Sequence, residues 1–420
     1  MHVMIKMMKK INTHLFSRAP GIIKSALKLA NKKDVEQVVE ELANLKGMPQ
    51  KLGQIISMDF SDYLPDEIKE KFVKLQSQSN AFDHREIFSI LAAGLDPDKL
   101  NTIHQFSPTP IGAGSIGQVH KAKINKRDIV FKVRYPDIEK TISADLALML
   151  PIAFSYELFR PNSKDLTILM KEAKLMLLQE MNYRSEMNFI KNFKVVFEND
   201  TRFCVPEVID EYCHDNFICM EFINGISLQE FIDTEEDKNK KRTVAESLLD
   251  LFILEFFQLG LVQTDPNFAN YIIKDDGKIA LLDFGATKKF EKSFRDIYFE
   301  LLKASYDENR HDILFYGSKL GLVDRKDNTE AVDLFVSFMI DVMSFFKQDN
   351  NPMDFSNEEI TTRLFTKGIL LWKKQRISAP HSNLVFLHRK LGGLFSLLKK
   401  SKVAIDLSTK WKDIEKLNNL

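Results

Sequence analysis

A glycine-rich stretch that opens into strands, not a helix, is the strongest constraint on what this chain can fold into. Residues Gly112-Ala113-Gly114-Ser115-Ile116-Gly117-Gln118-Val119 match the spacing G-x-G-x-x-G-x-V. Dinucleotide-binding sheets use the same glycines, but there a helix follows. Here QVHKAKI and IVFKV follow, alternating apolar and polar residues across the polar turn Asn125-Lys126-Arg127-Asp128, which is a hairpin pattern. A glycine loop joined to a hairpin folds over nucleotide phosphates, because backbone N–H groups can approach them with no Cβ in the way. Gly112, Ala113, Gly114, Ser115, Gly117 and Val119 are the candidate nucleotide contacts.

The rest of a phosphate-handling set follows in order. Lys132 comes fifteen residues after Gly117, behind Ile129-Val130-Phe131, where a strand leaves its buried face. There it would reach the nucleotide phosphates as a point charge. The next helix, expected over about 165–197, offers Glu180 and Glu186 as the carboxylate to hold that lysine. In one regular helix the two would project about 120° apart, so only one could face it. Met220 and Glu221 end the apolar strand FICMEF just before a hinge near 222–225 and are further nucleotide contacts. Asp265 and Asn270 stand five apart in QTDPNFAN, and Asp283-Phe284-Gly285 begins thirteen residues after Asn270. In that arrangement Asp283 and Asn270 would bind magnesium, and Asp265 would orient or deprotonate the acceptor. The His-Arg usual before such an aspartate is absent, and Gln263 takes the His position. Its amide is expected to hydrogen-bond the backbone near Asp283-Phe284-Gly285.

The order of patterns gives the fold: α+β, a two-lobed protein-kinase-like fold with a helical N-terminal extension and a mainly helical C-terminal lobe. The expected boundaries are 1–100 for the extension, 101–223 for the strand-bearing lobe and 224–420 for the helical lobe. TEEDKNKKR and KQDNNPMDFSNEE read as exposed loops. Lysines plus arginines number 59, as do aspartates plus glutamates, which argues against a nucleic-acid binder relying on overall positive charge. Cys204, Cys213 and Cys219 have spacings that match no zinc pattern and read as core or incidental thiols. Their low, odd number fits a reducing cytoplasm. The start MHVMIKMMKKINTHLF makes a poor signal peptide, and no window reaches the ~20 apolar residues of a spanning helix. Peripheral contact with a membrane surface stays open.

Lys51-Leu52-Gly53-Gln54, SIGQVHKA, VRYPDIEKTISADL and QTDPNFAN together resemble the UbiB/AarF/ADCK-type atypical kinase family. The likeness runs from about residue 45 to HRKLGGLFSLL. It implies ATP or ADP with magnesium, and a link to ubiquinone and other isoprenoid-lipid metabolism, with a lipid or quinone precursor and quinone-biosynthesis proteins as partners. It also implies that the helix bearing Lys51 and Gln54, the family's KxGQ motif, lies over the active site, making both residues part of the catalytic set. By the same resemblance Glu180 belongs to the Lys51 side and Glu186 to Lys132. Two positions depart from the family: its loop is usually alanine-rich where this one has Gly112 and Gly114, and its Glu-x-Asp motif is Glu180-Met181-Asn182 here. The leading expectation is an ATPase or atypical kinase supporting quinone synthesis. A true phosphotransferase acting on a protein or small hydroxyl compound, and a catalytically silent nucleotide-binding scaffold, are the alternatives.

Overall fold

The computed structural model of the chain describes residues 82–136 except 115, Ile138, residues 178–324, 328–359 and 382–418, and a few positions between 362 and 371. The expected N-terminal helices, with Lys51 and Gln54, and Ser115 of the glycine loop lie outside the described residues. The chain divides into two compact units, Met1–Lys191 with Glu207–Phe222, and Asn192–Pro206 with Ile223–Leu420.

The first unit is built on a five-stranded sheet of β1 (Ile103–His104), β2 (Gly112–Ala113), β3 (Gly117–Ile124), β4 (Arg127–Arg134) and β6 (Phe217–Glu221); β5 (Phe203–Cys204) belongs to the second unit. The order is β1-β3-β4-β6, with β2 on β3. The turn between β3 and β4 is tighter than expected. Only Asn125 and Lys126 lie outside the ladder, both at positive φ (48° and 69°), and Arg127 already pairs with Ile124. Two left-handed residues match the twist of the flanking strands, and Asn tolerates that conformation best among residues with a side chain.

Strand alternation then sorts the side chains. Ile129, Phe131 and Val133 enter the core, against Ile87 and Leu91 of helix α1 (His84–Gly94), while Lys132 and its cross-strand partner Val119 share the opposite face. Helix α1, placed in the extension by its sequence position, therefore contributes to the core of this unit. Asp83 caps it, accepting from Arg85 N at 2.8 Å.

The buried face of β3 also carries two polar residues, Gln118 and His120, both inaccessible to solvent. Gln118 Oε1 accepts from Phe82 N at 2.9 Å, and its Nε2 donates to Phe82 O at 3.1 Å and to His120 Nε2 at 2.7 Å. That fixes the tautomer. His120 accepts at Nε2 and donates from Nδ1 to Ser107 O at 2.7 Å. The network ties the segment entering the unit to the strand that follows the glycine loop.

The second unit holds the four-stranded sheet β5-β10-β9-β7 and the two-stranded pairs β11-β8 and β12-β13, set among helices. These strands are β7 (Ile226–Ser227), β8 (Leu261–Gln263), β9 (Tyr271–Ile273), β10 (Ile279–Leu281), β11 (Thr287–Lys289), β12 (Met353–Asp354) and β13 (Ala404–Ile405). Residues 192–206 join this unit because Phe203 pairs with Ile279 and Phe193 packs on Phe284, ring centroids 4.9 Å apart.

Two segments expected to be loops are partly regular. Asp237 caps a helix that begins at Lys238 and runs to Ile253, so most of DKNKKR is helical. Within KQDNNPMDFSNEE, Met353–Asp354 pairs with Ala404–Ile405. The first departure follows from an Asx cap that a charge run masks, the second from a partner strand some fifty residues away. No disulfide joins the three cysteines, and Cys219 is fully buried in β6. Among the described residues no helix is long and apolar enough to cross a membrane.

His120 supplies a test of the first unit's polar core. Burial lowers its pKa, and protonating Nε2 would aim a donor at the Gln118 amide donor. A folded-state pKa below the unfolded value near 6.5 gives stability that is present above that value and lost as pH falls below it. Melting curves at pH 7.5 and 5.5 should show His120→Gln less stable than wild type at pH 7.5, by about 1–3 kcal/mol. The variant should also lose less stability on acidification. An equal acid-induced loss in both proteins would contradict this account.

Candidate functional site

In the first unit the glycine loop is closed by its own backbone. Ile111 N donates to Val119 O and Gly114 N to Gly117 O, each at 2.8 Å, and Gly112 and Ala113 pair with Val119 and Gln118. The three glycines are not equivalent. A Cβ on Gly117 would lie 2.3 Å from Val133 O and 2.8 Å from the Tyr183 hydroxyl, so the packing of β3 on β4 requires glycine there. A Cβ on Gly112 would meet nothing within 4 Å, and one on Gly114 only an ordinary contact at 3.7 Å. Among the described residues nothing crowds those two positions.

Lys132 Nζ lies 2.6 Å from Glu186 Oε1, with side-chain exposures of 14% and 0%. The helix expected from 165 to 197 does not run through both glutamates. Helical structure over Leu178–Glu180 breaks at Met181-Asn182, and α2 (Tyr183–Val196) starts afresh. Arg134 adds a hydrogen bond to the carbonyl at the break, donating to Met181 O at 3.1 Å, and Asn182 Oδ1 caps α2 by accepting from Ser185 N at 3.0 Å. The 120° argument for one regular helix therefore does not apply. Glu186 meets Lys132, while Glu180 is buried in the turn before the break. Asn182, where the family has a carboxylate, serves as the cap. Met220 is buried opposite Val130, and the Glu221 carboxylate faces Arg127 Nη2 at 3.9 Å and Glu207 N at 3.3 Å.

In the second unit two short ladders frame the acidic residues. Strand β8 leads into Thr264–Asn270 and β9 leads out, while Asp283-Phe284-Gly285 runs between β10 and β11. Gln263 pairs with Thr287, and Tyr271 with Leu281. Thr264 N and Oγ1 both donate to Ala286 O, at 3.2 and 2.7 Å, and Leu282 N donates to Asn270 O at 3.0 Å. The two acidic segments are thus held to each other at both ends. Asn270 Nδ2 donates to Asp265 Oδ2 at 3.2 Å, and Asp283 Oδ1 accepts from Gly285 N at 2.9 Å.

With its NH₂ turned to Asp265, Asn270 has Oδ1 left as the atom suited to a cation. One amide oxygen and one carboxylate make an incomplete all-protein cage. That donor set fits magnesium, which keeps waters and takes further oxygens from substrate phosphates. Among the described residues no group of three or more His, Cys, Asp or Glu is gathered for a metal.

The expected role of Gln263 is not seen. Its Nε2 is buried without a hydrogen-bond partner among the described residues, and its Oε1 lies 3.4 Å from Lys390 Nζ. The link to the Asp283-Phe284-Gly285 segment is made by the neighbouring Thr264 hydroxyl, which is a shorter reach from the same strand end. Lys390 also lies 3.1 Å from the Tyr271 hydroxyl and 3.3 Å from Glu255 Oε2. Burial opposes its charge, but Glu255 and Tyr271 outweigh burial and hold its pKa above the ordinary lysine value. Arg389 Nη2 stands 3.7 Å from Asp265 Oδ1. Thr264, Arg389 and Lys390 escaped the sequence reading; HRKLGG was visible as a family stretch, but no spacing ties it to a loop 120 residues earlier.

The glycine geometry predicts two different outcomes. Gly117→Ala should lower stability by about 2 kcal/mol or more through backbone overpacking. Gly114→Ala should leave the melting temperature within about 2 °C of wild type, since its Cβ meets no close atom. Equal melting temperatures for the two variants would contradict the distinction.

Residues 74–316 match the family profile described as the ABC1 atypical kinase-like domain. The chain is 26% identical over 384 residues to the atypical kinase COQ8, mitochondrial, of Saccharomyces cerevisiae, covering 91% of this chain and 76% of the yeast protein. It is 26% identical over 378 residues to the atypical kinase coq-8, mitochondrial, of Caenorhabditis elegans. That match covers 89% of this chain, which spans about half, 49%, of the nematode protein. The solved structure of Rv3197 from Mycobacterium tuberculosis in complex with erythromycin superposes with a TM-score of 0.63 at 20% identity, covering 91% of this chain and 96% of that one. At that identity the likeness speaks for the fold. The profile runs through the glycine loop, Lys132, Glu186, Asp265 and Asp283 and spans more than half of the 420 residues, so the chain belongs to the ABC1 atypical kinase-like family, the UbiB-type atypical kinases, and has their kinase-like α+β fold.

Proposed function

We propose that this protein is an ATP- and magnesium-dependent ATPase or atypical kinase of the UbiB type, supporting ubiquinone or other isoprenoid-lipid metabolism. The observation that carries this reading is the framed acidic pair. Asp265 and Asn270 are hydrogen-bonded to each other on a loop tied to the Asp283 segment at both ends. A polar turn without a chemical task has no need of that double tether.

Each unit supplies its own part. In the first, the glycine loop would present backbone N–H groups to the phosphates, and Lys132, held by Glu186, would neutralise their charge. In the second, Asp283 and Asn270 would hold magnesium, which offsets charge developing on the transferred phosphoryl group. Asp265 would orient the attacking oxygen and take its proton as the bond from that oxygen to the γ-phosphorus forms and the bond to the ADP oxygen breaks. Lys51 and Gln54, by family resemblance, would act on the same nucleotide. The acceptor is water in an ATPase, or a lipid, quinone-precursor or protein hydroxyl in a kinase. Two loop-tip glycines that no described residue crowds, as in ordinary kinase loops, keep the phosphotransferase reading beside the hydrolytic one. Peripheral association with a membrane and with quinone-biosynthesis proteins belongs to the same proposal.

Phosphate release from ATP with magnesium should be measurable for the purified protein, and Asp283→Asn should lower it by about 100-fold or more while the protein stays folded. Wild-type protein whose melting temperature rises with nucleotide but which releases no phosphate, with or without quinone precursors, would instead be a scaffold. An altered quinone profile in cells lacking the protein is the expected biological outcome, and an unchanged one would remove that assignment.

A further inference from the structure

A single helix of the second unit, α8, meets the acidic loop at several points along its length. Helices α3 (Leu228–Thr234), α4 (Lys238–Ile253), α5 (Lys292–Tyr306), α6 (Arg310–Lys319) and α7 (Thr329–Ser344) precede α8 (Ser382–Ser401). Lys390 bridges the residue before the loop, Gln263, the residue after it, Tyr271, and the buried Glu255. Arg389 approaches the Asp265 carboxylate with its own side chain only 4% exposed. A Cβ on Gly393 would fall 2.0 Å from Pro266 Cβ, so the helix backbone rests directly on the loop. Two turns further along the axis on the same side, Lys400 Nζ lies 4.9 Å from the centre of the Phe268 ring. Positions 389–390, 393 and 400 share one helical face.

Kinase loops of the His-Arg-Asp type carry an arginine immediately before the aspartate. This loop has the uncharged Thr264 there. We propose that Arg389 and Lys390 are positioning residues for the loop: Lys390 fixes its two ends, and Arg389 supplies from a distant helix the guanidinium that the loop itself lacks, holding the Asp265 carboxylate in place. The matched domain profile ends at 316, so this makes a helix beyond it part of the reaction machinery. The inference rests on the reading of Asp265 as the residue that orients the acceptor. A helix that only packed against the loop would account for Gly393 and Pro266, but it would not need two buried cations aimed at the loop's ends and its carboxylate.

The test uses the full chain with Arg389→Gln, Arg389→Lys and Gly393→Ala, of which Arg389→Gln keeps most of the side-chain volume. Two readouts are taken: kcat and KM for ATP with magnesium, and hydrogen exchange of the amides from Thr264 to Tyr271. Arg389→Gln should lower kcat by about 30-fold or more with KM within about threefold. Arg389→Lys should recover part of that loss. Loop amides should exchange at least about tenfold faster in Arg389→Gln and Gly393→Ala, with the strands β9 and β10 unchanged. Loop exchange equal to wild type overturns the inference, whatever the turnover, and so does a fully retained kcat in Arg389→Gln. Loosened loop amides in a protein whose wild type never turns over ATP would support the positioning role and overturn the catalytic reading of Asp265.

Discussion

The second unit depends on a carboxylate that has no access to water. Glu255 lies in the π-helical turn Leu254–Leu259 that ends α4, and is 1% exposed. An uncompensated charge there would cost several kcal/mol, more than a typical single stabilising contact returns. Lys390 answers it from α8, and neither charge can move without stranding the other. What they touch is fixed with them: Gln263 N, 3.4 Å from Glu255 Oε1, the Gln263 side chain, and the Tyr271 hydroxyl. Those groups bracket the loop that carries Asp265 and Asn270. Buried charge of this kind adds little net stability, but it selects one arrangement of the elements it joins, and here those elements are the two ends of a candidate catalytic loop.

The same logic acts in the first unit at smaller scale. Glu186 is fully buried and meets Lys132 at 2.6 Å, so the lysine's position is set by α2 as well as by its own strand. The start of α2 is in turn set by the cap at Asn182 and by Arg134 at the break before it. Asn182 therefore has a local structural use as a cap, one that a carboxylate would serve equally well. The glycines divide in a comparable way. Gly117 is required by the backbone of β4, whereas among the described residues no atom crowds Gly112 or Gly114, so the hairpin beneath the loop tip does not itself require glycine there.

The local parts of this site were legible in the sequence because period-two alternation and short motifs act over a few residues. The hairpin, Lys132 on its second strand, the Asp265/Asn270 spacing and the Asp283 segment were all readable that way. What escaped depended on contacts between distant residues or on polar side chains with several options. Spacing left either Glu180 or Glu186 to face the lysine, the family resemblance assigned it Glu186, and Glu186 is the one that lies 2.6 Å from Lys132. Gln263 and Thr264 are adjacent hydrogen-bonding residues, and only the geometry shows that the threonine hydroxyl reaches Ala286 while the glutamine turns to Lys390. The cations of α8 approach from more than 120 residues away, a relation that no periodicity records. The cap at Asp237 was hidden inside a charge run whose composition resembles a loop.

The central claim of the proposal is that Lys132 and Asp283 each contribute to binding of a magnesium nucleotide. Calorimetric titration of ATP into the full chain, with magnesium and then with the metal chelated, tests it most directly. The account predicts magnesium-dependent binding in the wild type that weakens by about 30-fold or more, about 2 kcal/mol, in both Lys132→Met and Asp283→Asn. Binding that is indifferent to magnesium, or that survives both substitutions unchanged, would contradict it.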